Sequence, residues 1–238
     1  MKKMVVGACD RLQRRLASKG KRHDYKRVWE HLAWRSETAS VAVAGYSDEE
    51  GLNRSAEDSR SYLENLVGIR PDDVILEIGC GVGRVGAVLA PRCRKWIGCD
   101  VSASMLKHAA TRLSQFDNVQ LVEISGHDLV PIPNASADVV YCIVVFMHLD
   151  EWDRYHYVQE AYRVLKPGGR ILINNVNLCS DDGWMFFEEL CRMPPHKRPA
   201  YISKTSTPDE LRTYLEHAGF QDINEREEHL WLTAWGRK

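Results

Sequence analysis

The sequence predicts an α/β protein in which a doubly wound, mostly parallel sheet is covered by helices on both faces. From Gly51 onward, segments that read as strands alternate with segments that read as helices, which is typical of a parallel sheet. An apolar run over 74–78 leads directly into a glycine-rich turn. Near the end, 221–228 and 229–235 read as two consecutive strands, and consecutive strands pair antiparallel. The sheet is therefore expected to end in a reversed strand.

Residues 1–50 precede this alternation and are predicted to form a basic, helical extension that caps the main domain, residues 51–238. Eleven lysines and arginines in the first 35 residues are accompanied by three acids. Such an arm could follow the phosphates of RNA or DNA or touch an anionic membrane. No aromatic ladder or nucleic-acid motif accompanies the charges, so a solvated extension is favoured. The spacing of Trp29, Leu32 and Ala33 indicates one apolar helical face that docks on the main domain.

Four helices are predicted from the residues at their starts. Residues at a helix start can accept a hydrogen bond from a free backbone N–H, add favourable negative charge, or, in the case of proline, hold the φ angle of the first helical residue. The predicted starts are Ser55 with Asp58 for 56–67, Ser102 for 103–113, Asp150 with Glu151 for a helix that begins near Trp152, and Thr207 with Pro208 for the helix before the closing strands.

The turn after the first strand bears most on function. Gly79, Gly81 and Gly83 follow the strand at alternate positions and precede a predicted helix. Glycines let a ligand approach the backbone, and the free N–H groups of the next helix carry partial positive charge. The run from Gly81 to Gly86 also satisfies G-x-G-x-x-G, the dinucleotide fingerprint. The turn alone therefore leaves a nicotinamide dinucleotide and other nucleotide ligands open.

Two acids beside the turn favour a cationic adenosine ligand. Glu77 lies near the end of the strand, where a pyrophosphate gains nothing from a second anion, whereas a sulfonium or ammonium group is tolerated. Asp100 ends the next apolar strand, 96–100, at the spacing at which an acid meets ribose hydroxyls. The ligand predicted from this pair carries both positive charge and an adenosine group.

Glu77, Gly79, Gly81 and Gly83 match the motif Glu-x-Gly-x-Gly-x-Gly without a gap, and here the chain resembles the class I S-adenosylmethionine-dependent methyltransferases of small-molecule type. The resemblance covers roughly residues 51–238. Further segments match in family order: 118–123 and 137–142 look like the third and fourth strands, 163–170 like the turn before the fifth, and 218–220 like the entry to the closing hairpin. The resemblance implies a Rossmann-like, seven-stranded sheet with an antiparallel last strand. It also implies a methyltransferase (EC 2.1.1) that uses S-adenosylmethionine and releases S-adenosylhomocysteine.

The resemblance further implies which residues hold the cofactor. They are Glu77, Gly79, Cys80, Gly81, Gly83, Asp100, Val101, Met105, His127, Asp128, Leu129, Cys142 and Ile143. The glycine turn would meet the methionyl part, Asp100 the ribose, and the residues after the second and third strands the adenine. Many family members place Gly-Asp directly after the third strand, whereas this chain has Ser-Gly-His-Asp there. The adenine contact is open between Gly126 and Asp128, and Asp128 is favoured because its carboxylate could accept from the adenine amino group. For Glu77, a ligand contact and a purely structural carboxylate are equally open.

His148 follows the fourth strand, at the rim where the transferred methyl group is expected, and is the candidate catalytic residue. Imidazole titrates near neutral pH, so His148 could act as a general base. A histidine that caps the next helix or packs beneath a lid fits the same position. Because the cofactor already activates the methyl group, proximity and orientation are the main contributions expected of the protein. No histidine and carboxylate cluster has metal-ligand spacing, and no metal is predicted.

The stretch 177–206 reads as irregular and, because it contains aromatic residues such as Trp184 and Tyr201, is predicted to be a substrate lid and not a disordered loop. The methyl acceptor is expected to be a small molecule with an oxygen, nitrogen or carbon nucleophile. Two alternatives stay open: an RNA or protein methyltransferase that uses the basic arm, and a noncatalytic S-adenosylmethionine-binding regulatory module. Nucleic acid is the less favoured partner.

The composition is that of a soluble protein. Its hydrophobic content is 44%, and no apolar run reaches the roughly 20 residues that a membrane helix needs. The seven cysteines include no C-x-x-C pair, which argues against a disulfide framework and a zinc site. A cytoplasmic protein with reduced thiols and no membrane partner is expected.

Overall fold

The computed structural model describes residues 24–34, 36–46 and 48–238, so most of the basic arm and Cys9 lie outside the described residues. The helices are α1 Tyr25–Leu32, α2 Ser36–Ala44, α3 Glu49–Leu66, α4 Arg84–Leu89, α5 Ala103–Arg112, α6 Glu151–Val164, α7 Asp181–Cys191 and α8 Pro208–Ala218. The strands are β1 Val74–Ile78, β2 Lys95–Asp100, β3 Val119–Glu123, β4 Ala137–Cys142, β5 Leu165–Asn177, β6 Thr205–Ser206, β7 Gln221–Glu228 and β8 Trp231–Arg237.

One sheet joins all of these strands in the order β3-β2-β1-β4-β5-β8-β7, with the two-residue β6 paired to β5. Strands β1 to β5 are parallel to one another, whereas β8 runs antiparallel to both β5 and β7. The predicted α/β class and the reversed closing strand are confirmed. The eighth strand, β6, is the addition to the seven that were expected.

The strand order places the functional end of the sheet. From β1 the chain winds outward through β2 and β3, and it then returns to pair β4 on the other side of β1. This reversal leaves a crevice beyond the carboxyl ends of β1 and β4, where open α/β sheets bind ligands. All five residues of β1 are buried. A strand covered on both faces reads as a continuous apolar run, which is why the sequence located it.

Two of the predicted helix starts hold their capping hydrogen bonds. Ser102 Oγ accepts from Met105 N at 3.1 Å at the start of α5, and Thr207 Oγ1 accepts from Glu210 N at 3.3 Å at the start of α8. Helix α6 begins after Asp150 as expected, although the side chain of this residue makes no capping bond.

Helix α3 begins seven residues before the predicted start at Ala56. Its cap is Asp48, whose Oδ1 accepts from Gly51 N at 2.7 Å. Ser55 lies inside the helix, where its hydroxyl donates to the carbonyl of Leu52. The prediction was wrong because low-propensity residues fill the first turns, while burial of Leu52 and Ala56 extends the helix backward. Helix α3 therefore crosses the predicted boundary between extension and main domain.

The stretch 177–206 is not irregular throughout, because it contains α7. Ser180 Oγ accepts from Gly183 N at 3.1 Å and caps this helix. A side chain at Gly183 would collide with the carbonyl oxygen of Asn177. Most of α7 is half-buried or exposed, and its first turn contains Gly183, a poor helix former, so the sequence was read as irregular there.

Helix α1 lies against the carboxyl end of the sheet. Leu32 and Ala33 are buried and Trp29 is partly buried against the core, which is the apolar face expected from their spacing. Glu30 holds the helix in place, because its carboxylate accepts from Ser102 Oγ at 2.7 Å and from Ser104 N at 3.2 Å. None of the helices in the described ranges combines the length and the hydropathy of a membrane span.

Candidate active site

A cavity of about 750 Å³, its open mouth included, lies at the carboxyl ends of β1, β2 and β4. Eight of the thirteen predicted cofactor residues line it. From β1 and the turn come Glu77, Gly79, Cys80 and Gly81, and from later segments come Asp100, Val101, Met105 and Ile143. The candidate catalytic residue, His148, lines the same cavity. The crevice predicted from the strand order thus contains most of the predicted site.

The other five predicted cofactor residues do not line the cavity. A side chain at Gly83 would point at Leu113 and Ala109 of the α5 segment. Leu129 and Cys142 are buried in the core, and His127 and Asp128 lie in a turn that the side chain of Ser125 organises. Asp128 Oδ1 accepts from Val130 N at 3.2 Å. Of the two residues left open for the adenine contact, Gly126 lines the cavity and Asp128 does not.

The glycine turn is tied to the end of β2 by its own backbone. Gly79 N and Cys80 N both donate to the carbonyl of Cys99, at 2.8 and 2.9 Å. Gly81 N donates to Asp100 Oδ2 at 2.8 Å. Gly81 has a φ of +52°, and a Cβ there would lie 2.6 Å from Cγ1 of Val43, on α2. This position requires glycine both for its backbone conformation and for the closeness of the opposite wall.

The two acids of the cavity differ in their partners. Glu77 Oε2 accepts from the hydroxyl of Tyr141 at 2.5 Å, and among the described residues no hydrogen bond engages Oε1. Asp100 accepts from two backbone N–H groups, those of Gly81 and Ser102. Burial raises the pKa of Glu77 to about 8 and the pKa of Asp100 to about 6. Two buried carboxyl groups beside a close backbone turn fit a ligand that has both a cationic group and hydroxyl donors.

Arg84, the first residue of α4, also reaches the cavity, although no sequence pattern indicated this. The guanidinium is held from behind, because Nη1 donates to the carbonyl of Ser55 at 2.8 Å and to Ser59 Oγ at 3.0 Å on α3. Its charge lowers the pKa of Glu77 and so offsets part of the effect of burial.

His148 ends a short 3₁₀ turn, 146–148, after β4. Its Nδ1 lies 3.0 Å from the carbonyl oxygen of Tyr201, so the neutral ring donates Nδ1–H to that carbonyl and keeps Nε2 as an acceptor. Burial lowers the pKa of His148 to about 4. The ring is half-buried and, with its pKa lowered, uncharged at neutral pH, whereas the sequence suggested a pKa near neutrality.

Two aromatic residues of α1 complete the wall, Tyr25 and Trp29. The Tyr25 hydroxyl donates to Asp153 Oδ2 at 2.6 Å and accepts from Asp150 N at 3.0 Å, which ties α1 to the start of α6. Burial raises the pKa of Tyr25. The apolar helical face predicted from the sequence includes Trp29. No sequence pattern indicated a role for Tyr25, because its hydrogen-bond partners lie more than a hundred residues away.

Val144 contributes a strained backbone to the cavity. It has a φ of +61°, which is rare for a β-branched residue. Its N–H donates to Asn174 Oδ1 at 2.8 Å, and this bond from β5 helps to hold the turn that leads to His148. Backbone strain of this kind is concentrated at functional sites.

The predicted lid, 177–206, contacts the turn 146–148 through the backbone. No residue of 177–206 lines the cavity in the structure as described. Besides the bond from His148 to Tyr201, Lys204 N donates to the carbonyl of Met147 at 2.7 Å. Its role as a lid over the acceptor stays a prediction. In the described part of the chain, no group of three or more His, Cys, Asp or Glu side chains is arranged to hold a metal ion.

Comparisons with known proteins find methyltransferases among the relatives of this chain. Residues 76–173 match a family described as a methyltransferase domain. A probable S-adenosylmethionine-dependent methyltransferase from Mycolicibacterium smegmatis is 36% identical over 151 residues, which cover 62% of this chain and 51% of the relative. The 27-O-demethylrifamycin SV methyltransferase of Amycolatopsis mediterranei is 27% identical over 201 residues, covering 80% of this chain and 72% of the relative.

A solved structure shares the fold. The magnesium protoporphyrin IX methyltransferase of Synechocystis, with bound SAH, superposes with a TM-score of 0.61 over 86% of this chain and 88% of its own, at 14% identity. The chain spans about half the length of several of its curated relatives. The gapless glycine motif, the sheet order and these matches make the chain similar to the class I S-adenosylmethionine-dependent methyltransferases, and the segment that matches the methyltransferase domain contains the glycine turn, Asp100 and His148.

Proposed function

We propose that this chain transfers a methyl group from S-adenosylmethionine to an oxygen, nitrogen or carbon nucleophile of a small molecule and releases S-adenosylhomocysteine. One observation carries the proposal: the glycine turn, two buried acids and His148 share a single cavity at the switch point of the sheet. A relative of known substrate, the rifamycin enzyme, acts on a small molecule. The predicted cytoplasmic location belongs to the same proposal.

The residues on the cavity wall fit the cofactor. The close approach of Gly81 to Val43 leaves no space for a side chain at this position of the glycine turn. Asp100 is oriented by two backbone N–H groups, and its remaining lone pairs suit ribose hydroxyls. Glu77 offers Oε1 to a positive charge. When bound, the cofactor supplies a methyl group that is already activated for in-line displacement.

His148 then acts on the acceptor and not on the cofactor. With Nδ1–H donated to the Tyr201 carbonyl, Nε2 can accept a proton or a hydrogen bond from the nucleophile. A base whose pKa is about 4 is weak, so orientation of the nucleophile is its larger contribution. Trp29, Tyr25 and Val145 give this end of the cavity an apolar wall. Such a wall excludes water and suits an apolar acceptor.

Labelled methyl transfer tests the proposal. The purified protein would be incubated with a mixture of small-molecule metabolites and with S-adenosylmethionine that carries a labelled methyl group. We expect label in a small-molecule product that a Gly81→Val variant does not form. Label recovered only in RNA or protein would favour the macromolecular alternative. Cofactor binding without any transfer would favour the regulatory one.

A further inference from the structure

A chain of buried polar groups runs beneath Glu77. Trp96 Nε1 donates to the Tyr141 hydroxyl at 3.1 Å, and this hydroxyl donates to Glu77 Oε2 at 2.5 Å. The exposed fraction is 0% for Trp96 and for Tyr141, and 4% for Glu77. Only Glu77 reaches the cavity. The three residues come from β2, β4 and β1, so the chain crosses the centre of the sheet.

Two glycines make room for this arrangement. A Cβ at Gly98 would collide with the Trp96 ring, and one at Gly86 would lie 2.7 Å from Cη2 of the same ring. Gly98 shares its face of β2 with Trp96 because alternate strand residues point the same way. The indole therefore lies flat in a space that only glycines leave open, and its N–H reaches Tyr141. This hydrogen-bonded chain therefore depends on five residues: the three that form it and the two glycines that leave space for the indole.

Every charged or titratable group that faces Glu77 affects the charge on its carboxyl group. Arg84 on α4 favours the carboxylate, as does the hydrogen bond from Tyr141, whereas Asp100 on β2 and burial oppose it. The remaining neighbours are the thiols of Cys80, Cys99 and Cys142, whose pKa values are raised by burial and by the charge of Glu77. They are uncharged at neutral pH.

We propose that Tyr141 is a positioning residue for cofactor binding: it holds one oxygen of Glu77 so that the other faces the positive charge of the cofactor, and binding expels the proton of this carboxyl group to solvent. This inference rests on the proposed function, since it requires a cationic cofactor in the cavity. It assigns to Tyr141 and Trp96 a role that the glycine motif does not contain. The O–H bond of the carboxyl group breaks, and the carboxylate keeps the electron pair.

The sign of the pH dependence follows from Glu77. Its pKa of about 8 means that the ligand-free carboxyl group is mostly protonated at pH 7. Affinity for a cation should therefore rise with pH and level off above about pH 8. Removing the Tyr141 hydroxyl removes a bond that favours the carboxylate, so the plateau should move to higher pH.

Calorimetric titration of S-adenosylmethionine between pH 6.5 and 9, in two buffers of different ionisation enthalpy, measures both affinity and proton release. The parent should release close to one proton at pH 7, and Glu77→Gln should lack this proton. Tyr141→Phe should bind about tenfold more weakly at pH 7, as expected for one lost hydrogen bond to a charged group, and approach parent affinity at higher pH. Any proton that the ligand itself gains or loses on binding is the same for all variants, so it cancels when the variants are compared with the parent.

Tyr62→Phe is the matched control, because the Tyr62 hydroxyl donates to Thr233 Oγ1 at 3.1 Å, away from the cavity. It should retain the parent pH curve. If Tyr141→Phe does not fold, Trp96→Phe replaces it and should shift the curve in the same direction by a smaller amount. If folded Tyr141→Phe, or Trp96→Phe in its place, showed the parent dependence of affinity on pH, this inference alone would be overturned. The same holds if Glu77→Gln released as many protons on binding as the parent. Absence of binding to the parent at every pH would overturn the proposed function as well.

Discussion

The Trp29 indole and the His148 imidazole pack edge to face, with ring centroids 4.8 Å apart and an angle of 71° between the planes. One ring comes from α1, before the glycine motif, and the other from the turn after β4. Their contact makes α1 part of the wall around the candidate base. The Tyr201 carbonyl holds His148 at Nδ1, and Trp29 restricts the ring in a second direction.

Trp29→Ala should therefore lower turnover without a matching loss of cofactor affinity. An edge-to-face aromatic pair contributes about 0.5 to 1.5 kcal/mol beyond its buried area. If this energy orients His148, the turnover number should fall by up to about tenfold, while the cofactor dissociation constant stays within about threefold. Steady-state kinetics and calorimetry measure the two quantities. Trp34→Ala is the control, because the side chain of Trp34 is 76% exposed. Equal losses in turnover and cofactor affinity would show that Trp29 serves the cofactor or the fold instead.

The pH dependence of turnover tests the state of His148. The pKa of this residue is lowered to about 4, so the ring stays neutral, and able to accept a proton, down to about pH 5. With saturating cofactor, the acid limb of the turnover profile should lie near pH 4 and not near 6.5. His148→Ala should cost about a hundredfold to ten-thousandfold if the ring is a base, and His148→Gln should keep part of the activity if it only orients the acceptor. A His148→Ala variant that folds and turns over at the parent rate would remove His148 from the mechanism.

The sequence was most informative where burial on both faces leaves a continuous apolar run. The observed β4 begins and ends at the predicted residues, and β1 is the predicted run 74–78. It was least informative where helices contain poor helix formers. Gly51 lies in the first turn of α3, and Gly183 lies in that of α7, so both helix starts were missed. Local propensity there is overridden by capping bonds and by tertiary packing.

The site residues also differ in how well the sequence predicted them. The sequence located Gly79, Gly81 and Asp100 because their spacing along the chain is set by one continuous unit of a strand, a glycine turn, a helix and a second strand. Tyr25 and Tyr141 act through partners 128 and 64 residues away, and no local pattern encodes such contacts. The pKa of His148 was also beyond the sequence, because it depends on how completely neighbouring segments enclose the ring.

Asp100→Ala should weaken the cofactor by about 1 to 3 kcal/mol through lost hydrogen bonds of charged character. Asp100 lies on the cavity wall, with its carboxylate fixed by Gly81 and Ser102. Asp128→Ala removes an equivalent carboxylate that lies off the wall, so its cofactor affinity should stay within about twofold. Calorimetry with S-adenosylhomocysteine distinguishes the two. A larger loss in Asp128→Ala than in Asp100→Ala would return the adenine contact to Asp128.

A buried ion pair between β5 and the amino end of β1 should contribute strongly to stability. Arg170 Nη2 donates to Asp73 Oδ2 at 2.7 Å, and both side chains are nearly inaccessible to water. Asp73→Ala leaves the guanidinium buried without its partner, so the free energy of unfolding should fall by about 3 to 5 kcal/mol. Glu50→Ala breaks the exposed pair with Arg54 and should cost less than about 1 kcal/mol. Denaturant unfolding measures both, and similar small losses would show that water reaches the Asp73 pair.

The central claim is that the cavity binds a methionine-derived adenosine cofactor and not a nicotinamide dinucleotide. The strictest test of this claim compares valine substitutions at two glycines that both have a positive φ. A Cβ at Gly81 would lie 2.6 Å from Val43, whereas one at Gly168, with a φ of +76°, would meet nothing within 4 Å. Gly168→Val thus imposes the same kind of backbone strain without filling the cavity.

The deciding measurement is calorimetric titration of the parent, Gly81→Val and Gly168→Val with S-adenosylmethionine, S-adenosylhomocysteine and NAD. The account predicts that the parent and Gly168→Val bind both methionine-derived ligands and that folded Gly81→Val binds neither, with no binding of NAD in any of them. Micromolar binding of NAD to the parent, with no binding of S-adenosylmethionine or S-adenosylhomocysteine, would contradict it.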